Sequence, residues 1–317
     1  MRTVDIKEGL TLIKVTDVAY ARFRAPDLDL MEGFLKDFGL THSARTDTAL
    51  YMRGTDSDHH LHITELGQPA FVGFAFNAAS EEDLHIISKV EGASAVEEIK
   101  EPGGGKRVTL LDPDNFIIEI VHGMEELPQL SVVNQFATNL GKKRERQGEF
   151  VRLESAPAQC KRLGHVVLNV TDFKATDKFY KSYFGLVSSD KCFNDAGETC
   201  LTFNRVDRGK EYVDHHTLLT VPMAQAGLGH IALEVEDINH IYLGHEYLKE
   251  NGHRHSWGIG RHILGSQVFD YWFDPYGFRV EHWTDGDLLN SDTPMGKTPV
   301  AEALKVQWGA DSSQRAT

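Results

Sequence analysis

The chain has 317 residues, 41% of them hydrophobic and 25% charged, which is typical of a globular protein with room for two domains. Its formal charge of −14, from 33 basic and 47 acidic residues, argues against general binding to nucleic acids or to acidic membranes. Three cysteines without a CxxC pair, no apolar leader and no apolar run of 18 residues predict a cytoplasmic protein without disulfides.

The N-terminal half begins with signals for a strand, a helix and a second strand. Residues 15–23 and 71–76 are aromatic and β-branched runs that predict strands. Between them, apolar side chains recur at helical spacing, and Gly39 follows as a typical helix-ending residue. The apolar positions of this predicted helix are Leu30, Phe34, Leu35 and Phe38.

A polar, charged stretch at residues 132–158 is suited to a linker, and the C-terminal half follows it. This half predicts two units in which a strand leads to a helix and then to further strands. The predicted strands are 163–170, 187–189, 201–204, 216–221, 228–235, 262–273 and 278–283, and the helices are 173–183 and 238–250. Residues 285–317 predict an extended tail that is disordered at its end.

Internal repeats relate the two halves and also the units within a half. Residues 111–119, LDPDNFIIE, match residues 273–281, FDPYGFRVE, at an offset of 162 without a gap. Shorter repeats are FGL at 38–40 and 184–186, DHH at 58–60 and 214–216, and LGH at 163–165 and 228–230. Such repetition indicates duplication of one supersecondary unit.

The predicted fold class is therefore α+β, with a βαβββ module used four times and paired into two domains. We expect an N-terminal domain at residues 8–140 and a C-terminal domain at 158–288. The tail is predicted to cover residues 289–317.

Three polar residues occupy related positions in the C-terminal half. His165 and His230 are each the third residue of an LGH strand, and Glu281 lies in the last predicted strand. A single histidine in a strand is more often structural, but two at equivalent repeat positions with a carboxylate at a third favour a metal centre. Two imidazoles and one carboxylate leave coordination positions open and suit Fe(II) that handles O₂. Mn(II) is compatible with the same ligands.

With these motifs the sequence resembles the type I extradiol catechol dioxygenases of the vicinal oxygen chelate superfamily, over about residues 10–285. In that family a histidine is followed nine residues later by a tyrosine and nineteen residues later by the ligand glutamate. His262, Tyr271 and Glu281 have this spacing. The resemblance implies glyoxalase-like domains with curved mixed sheets, an iron-binding C-terminal domain and an N-terminal domain without metal.

The resemblance also implies roles for single residues. His165, His230 and Glu281 match the iron ligands, and His262 and Tyr271 match residues that contact substrate during catalysis.

An acid–base histidine of the family matches His216, fourteen residues before His230, although the doublet leaves His215 as the alternative. Trp257 and Arg261, which precede His262, are further candidates for substrate binding.

The N-terminal half departs from the ligand pattern. Its equivalents of the two ligand histidines are Ala19 and Gly73, and only Glu119 persists. We therefore expect Glu119 and the histidines at 59–60 to be structural or surface residues.

The implied function is an extradiol ring-cleaving dioxygenase that inserts both atoms of O₂ into a substituted catechol or polyhydroxylated monocyclic aromatic, as trihydroxytoluene-type enzymes do. The product would be a semialdehyde, the partners are the aromatic diol and O₂, and the family resemblance suggests a homo-oligomer. Two alternatives share the fold: a glyoxalase-type metalloisomerase, and a ligand-binding module like the bleomycin-resistance proteins. Retention of iron and oxygen uptake distinguish the three.

Overall fold

The computed structural model describes residues 11–310 as two large mixed sheets, a separate two-stranded sheet and five helices. The N-terminal sheet has eight strands in the order β2-β3-β4-β1-β5-β8-β7-β6. Its elements are β1 (Asp17–Ala25), α1 (Leu28–Asp37), β2 (Thr41–Arg45), β3 (Ala49–Arg53), β4 (His62–Leu66), β5 (Ala70–Asn77), α2 (Glu81–Ile87), β6 (Glu97–Glu98), β7 (Lys106–Leu111) and β8 (Ile117–His122).

The C-terminal sheet has ten strands in the order β19-β10-β11-β13-β9-β14-β17-β16-β15-β20. The first part of this half comprises β9 (Cys160–Val170), α3 (Phe173–Phe184), β10 (Val187–Phe193), β11 (Thr199–Arg205), β12 (Val213–Asp214) and β13 (Leu218–Pro222), of which β12 pairs with β18 in a separate two-stranded sheet. Its second part comprises β14 (Gly227–Val235), α4 (Ile238–Glu250), β15 (His255–His262), β16 (Val268–Phe273) and β17 (Arg279–Thr284). The chain ends with β18 (Leu288–Leu289), β19 (Gly296–Pro299), α5 (Val300–Ala303) and β20 (Val306–Gly309).

Each sheet is built from two strand–helix–strand modules, joined where their first strands pair antiparallel. The joining pair is β1 with β5 in the N-terminal sheet and β9 with β14 in the C-terminal sheet. The predicted α+β fold with paired βαβββ modules is confirmed. The domain boundaries of 8–140 and 158–288 stay a prediction, and residues 8–10 lie outside the described part.

Local sequence signals explain where the helices begin and end. Asp27 and Asp172 cap α1 and α3, and each carboxylate accepts hydrogen bonds from backbone amides of the first turn. Gly185 ends α3 in the left-handed conformation, at φ +72°, which a glycine adopts without steric cost. Among residues 11–310, no helix combines the length and apolar character needed to cross a bilayer.

Two segments differ from the sequence-based expectation. The strand predicted at 262–273 is two strands, because β15 ends at His262 and a turn at Ser266, with φ +56°, leads into β16. The tail is largely ordered: β19 extends the sheet beside β10, and β20 extends it beside β15. The disorder predicted for the last residues falls mostly on 311–317, which lie outside the described residues.

The two halves share one apolar core and touch at β17, the strand that carries Glu281. The ring of Phe38, just after α1, stacks on His282 of β17 at a centroid distance of 3.7 Å. His282 Nε2 donates to the Phe38 carbonyl over 2.7 Å. Because His282 adjoins Glu281, the N-terminal half supports the strand that carries the carboxylate.

Buried polar residues fill the side of the N-terminal sheet that corresponds to the predicted metal centre. Arg22 donates to Glu119 from Nε and Nη2, at 3.2 and 3.0 Å, and Tyr20 donates its hydroxyl to the same Oε2 at 2.9 Å. Tyr20, and not the predicted Ala19, is therefore the neighbour of Glu119, because a bulge between Val18 and Ala21 shifts the register of β1. Glu119 is structural and buried.

We predict that Arg22→Met lowers the free energy of unfolding by up to about 3–5 kcal/mol, because Glu119 would keep a buried charge with Arg107, at 3.2 Å, as its remaining guanidinium partner. The double variant Arg22→Met/Glu119→Leu should recover much of this loss, since both charges are removed. Arg24→Met is the matched control: Arg24 lies on the same strand, is half-exposed and should change stability little. Urea unfolding measures all three, and equal losses for Arg22 and Arg24 would contradict the prediction.

Candidate metal centre

Three neighbouring strands bring the predicted ligands together. His165 lies on β9, His230 on β14 and Glu281 on β17, and β14 lies between the other two strands. Ala232 of β14 pairs with both His165 and Glu281, so these side chains flank the same point of the sheet. A Cβ on Gly164 would lie 2.4 Å from the Trp283 indole, which gives a steric reason for the glycine of this LGH motif.

The three ligand atoms form a compact, buried triangle. Oε2 of Glu281 lies 3.1 Å from Nε2 of His165 and 3.1 Å from Nε2 of His230. The two Nε2 atoms are 3.3 Å apart. Glu281 is fully buried, and the histidines are 2% and 6% exposed. Burial raises the pKa of Glu281, but the hydrogen bonds from the two imidazoles outweigh it and hold this pKa well below its usual range.

The residues fit a divalent metal ion. Two atoms that each lie about 2.1 Å from one ion, at right angles, are about 3.0 Å apart, close to the separations in the triangle. The ligand set of two imidazoles and one anionic carboxylate suits Fe(II), Mn(II) and related cations. His165, His230 and Glu281 therefore have both the chemistry and the spacing of a metal centre.

His262 and Tyr271 lie beside this triangle. The Tyr271 hydroxyl and His262 Nε2 are 2.9 Å apart, and His262 Nε2 is 3.7 Å from Oε1 of Glu281. Tyr271 pairs with Glu281 across β16 and β17, which places both side chains on one face. The His262 ring stacks on Phe269 at 4.0 Å. The sequence spacing thus corresponds to a real cluster.

Of the histidine doublet, His216 is the one that contacts a predicted metal ligand, His165. Its ring centroid is 4.1 Å from that of His165, and it is buried. His215 turns the other way, with Nε2 2.8 Å from Asp190 and Nδ1 3.1 Å from Nδ1 of His216. Burial, followed by the charges of the neighbouring histidines, lowers the pKa of His216 well below its ordinary value.

The contact between two adjacent histidines also occurs in the N-terminal half, where no metal centre is predicted. In the N-terminal half, His59 and His60 repeat the contact, with Nδ1 atoms 3.0 Å apart. Both are buried, which corrects the surface alternative considered for them. The histidine pair therefore belongs to the repeated fold, and its position beside His165 is what sets His216 apart.

The two remaining predicted residues lie in different places. Trp257 packs over Tyr271 with ring centroids 5.4 Å apart, and its indole N–H donates to the Ala310 carbonyl. The Arg261 guanidinium points to Asp285, at 2.7 Å, and does not join the triangle.

Sequence reasoning missed Asp190 and Trp283. Asp190 of β10 contacts His215, which in turn contacts His216. Trp283 covers Gly164, and its ring centroid lies 6.0 Å from that of His165. Trp283 lies two residues after Glu281 in the predicted strand 278–283, so the alternation of side chains along a strand was a usable signal that both lie on one face. No signal linked Asp190 to a histidine 25 residues away.

Residues 162–282 match the family described as the Glyoxalase/Bleomycin resistance protein/Dioxygenase superfamily. These residues thus form a domain of this superfamily, in agreement with the vicinal oxygen chelate motifs.

Two relatives span nearly all of the chain. Metapyrocatechase 2 of Cupriavidus necator is 28% identical over 301 residues, which are 94% of this chain and 90% of that protein. The iron-dependent extradiol dioxygenase of Rhodococcus jostii is 24% identical over 320 residues, 95% of this chain and 98% of that protein. The predicted resemblance to extradiol dioxygenases is confirmed.

Solved structures show the same fold. The Mn(II)-bound glyoxalase from Novosphingobium aromaticivorans superposes with a TM-score of 0.78 and 20% identity, covering 96% of this chain and 95% of that one. The homoprotocatechuate 2,3-dioxygenase from Brevibacterium fuscum, in complex with 3,4-dihydroxyphenylacetate, gives 0.76 and 18%, covering 98% and 90%. At these identities the likeness establishes the fold.

We predict that Glu281→Gln weakens iron binding by more than about tenfold, the smallest loss of metal affinity usual for removal of an outer partner of a ligand, because an amide lacks the anionic charge. The iron retained per chain should fall accordingly. Elemental analysis of anaerobically loaded, folded protein measures it. Glu119→Gln, at the repeat-equivalent position, is the control and should leave the iron content unchanged. A parallel fall in both variants would mean that iron binds elsewhere.

Proposed function

We propose that this protein is an Fe(II)-dependent extradiol dioxygenase that cleaves a substituted monocyclic aromatic diol. The observation that best supports this proposal is the buried triangle of His165, His230 and Glu281, with the His262–Tyr271 pair beside it. The names of the two relatives, a metapyrocatechase and an iron-dependent extradiol dioxygenase, support the same class of reaction.

His165, His230 and Glu281 would bind the iron and leave its remaining coordination positions open to substrate. When bound there, Fe(II) supplies a redox-active centre at which an aromatic diol and O₂ are brought together. The surrounding side chains then bind and orient the diol and move its protons.

His262 and Tyr271 position the substrate. The Tyr271 hydroxyl is a hydrogen-bond donor 2.9 Å from His262 Nε2, so a substrate oxygen that enters beside the triangle meets both groups. The stack of His262 on Phe269 and the packing of Tyr271 against Trp257 restrict the two polar side chains to these orientations. Such preorganisation favours the transition state.

His216 serves as the acid–base group in this proposal. Burial lowers its pKa and leaves the imidazole neutral, with one unprotonated ring nitrogen, and in this proposal that nitrogen takes the proton of a substrate hydroxyl. The proton is returned when the ring opens. His215 and Asp190 orient the imidazole through contacts of 3.1 and 2.8 Å.

The charges around the centre favour uncharged diols. Arg261, the basic residue next to His262, is bound to Asp285 and to the Ser266 carbonyl. A substrate carboxylate would have to break this pairing to gain a partner. We therefore propose catechol and alkylcatechols as the substrate class, with carboxylated catechols as poorer substrates. A cytoplasmic location and a homo-oligomeric state are further parts of the proposal.

The first test is anaerobic iron loading followed by 4-methylcatechol in air. We expect oxygen uptake and a yellow semialdehyde product, with kcat/KM at least about tenfold above that for 3,4-dihydroxyphenylacetate, a difference of about 1.4 kcal/mol in transition-state binding. Iron retention without oxygen uptake across a catechol panel would favour a glyoxalase-type isomerase. Folded protein that retains no metal would favour a ligand-binding module.

A second test separates the two histidines of the doublet. His216→Asn should lower kcat by about 10²–10⁴-fold, the usual contribution of a general acid–base group, while iron content stays near that of the parent protein. His215→Asn should have a smaller effect because its imidazole acts through His216. A larger loss in His215→Asn would transfer the acid–base role to His215.

A further inference from the structure

A second cluster of two histidines and one carboxylate lies on the other side of the β15–β16 hairpin. His245 comes from α4, His255 from β15 and Asp270 from β16. Asp270 pairs with His282, and its neighbour Tyr271 pairs with Glu281. Successive strand residues face opposite sides, so this cluster lies under α4 and the triangle lies on the concave face.

The distances resemble those of the triangle. Asp270 Oδ1 is 2.8 Å from Nε2 of His255 and 3.2 Å from Nδ1 of His245. One carboxylate oxygen therefore faces two imidazole nitrogens, as Glu281 Oε2 does. The ligand atoms of the three residues all lie within 4.8 Å of one another.

The carboxylate is oriented and charged. Trp272 Nε1 donates to Asp270 Oδ2 over 2.6 Å and fixes the carboxylate plane, in which Oδ1 faces both histidines and Oδ2 also lies 3.1 Å from Nδ1 of His245. Burial raises the pKa of Asp270, which is fully buried, but hydrogen bonds from His245 and His255 outweigh it and hold that pKa below its usual value. A buried anion between two imidazoles is a suitable setting for a cation.

Access from solvent is available on the histidine side. The side chains of His245 and His255 are 18% and 33% exposed, while Asp270 is at 0%. An ion bound there would keep water in its remaining position. Two imidazoles, one carboxylate and a water form a tetrahedral set that suits Zn²⁺.

We propose that His245, His255 and Asp270 form a second divalent-metal site, distinct from the triangle, that takes zinc or a similar borderline cation. The ion would join α4 to β15 and β16, the strands that carry His262 and Tyr271. Its role is structural: it stabilises the hairpin from behind, without contact with substrate. The proposal does not depend on ring cleavage.

The test uses the full chain, loaded with iron under anaerobic conditions and then exposed to Zn²⁺, with free metal removed before elemental analysis. We expect about one zinc per chain beside an undiminished iron content, since the two sites use different ligands. At a hundredfold excess over Kd, zinc should raise Tm by about 5 °C. Zinc that appears only as iron is lost would mean displacement at the triangle and would overturn the proposal.

Variants assign the zinc to the cluster. His255→Gln and, independently, His245→Gln should each lose the bound zinc and the Tm shift, while the iron content stays as in the parent. His253→Gln is the matched control, because His253 forms a simple pair with Asp37 at 2.8 Å. Retention of zinc in both cluster variants, or its equal loss in the control, would contradict the assignment. So would a parent protein that binds no zinc, with the histidines acting only as hydrogen-bond donors to Asp270.

Discussion

The fully buried carboxylate of Glu281 is the constraint on which the C-terminal half depends. A buried anion needs hydrogen-bonding or cationic partners, and the sheet brings the imidazoles of His165 and His230 to Glu281 by pairing β14 with β9 on one side and β17 on the other. His230 reaches Glu281 only when β14 and β17 pair in the correct register, and His165 requires the β9–β14 pairing as well, because a slip of one residue turns a side chain to the other face. The metal centre and the sheet register are therefore specified together.

The N-terminal half meets the same constraint with different chemistry. Glu119 occupies the repeat position of Glu281, and the guanidinium of Arg22 with the hydroxyl of Tyr20 contacts it where imidazoles contact Glu281. The positively charged side chain of Arg22 thus balances the buried carboxylate of Glu119. The duplicated fold keeps an acidic residue at this point, and the partner that faces it determines whether the half is a binding centre or a scaffold.

Most of the fold was predictable because the modules repeat and their apolar patterns are local. The His262, Tyr271 and Glu281 spacing indicated three groups that do converge, since β15, β16 and β17 are sequential neighbours in the sheet. The tail strands were not predictable, because β19 and β20 pair with strands about a hundred and about fifty residues earlier and carry little apolar alternation. Strand alternation could not show which of His215 and His216 faces the predicted metal centre, because both residues precede β13 and lie outside a regular strand.

Strand β16 carries adjacent residues that serve different purposes on its two faces. Tyr271 faces the triangle and Asp270 faces α4, so anything that fixes the backbone at Asp270 also fixes the Tyr271 hydroxyl relative to Glu281. The hydrogen bonds of His245, His255 and Trp272 to Asp270 hold the strand from the helix side. Because a shift of 1 Å at a reacting group can cost a hundredfold in rate, these contacts behind the sheet matter for the centre in front of it.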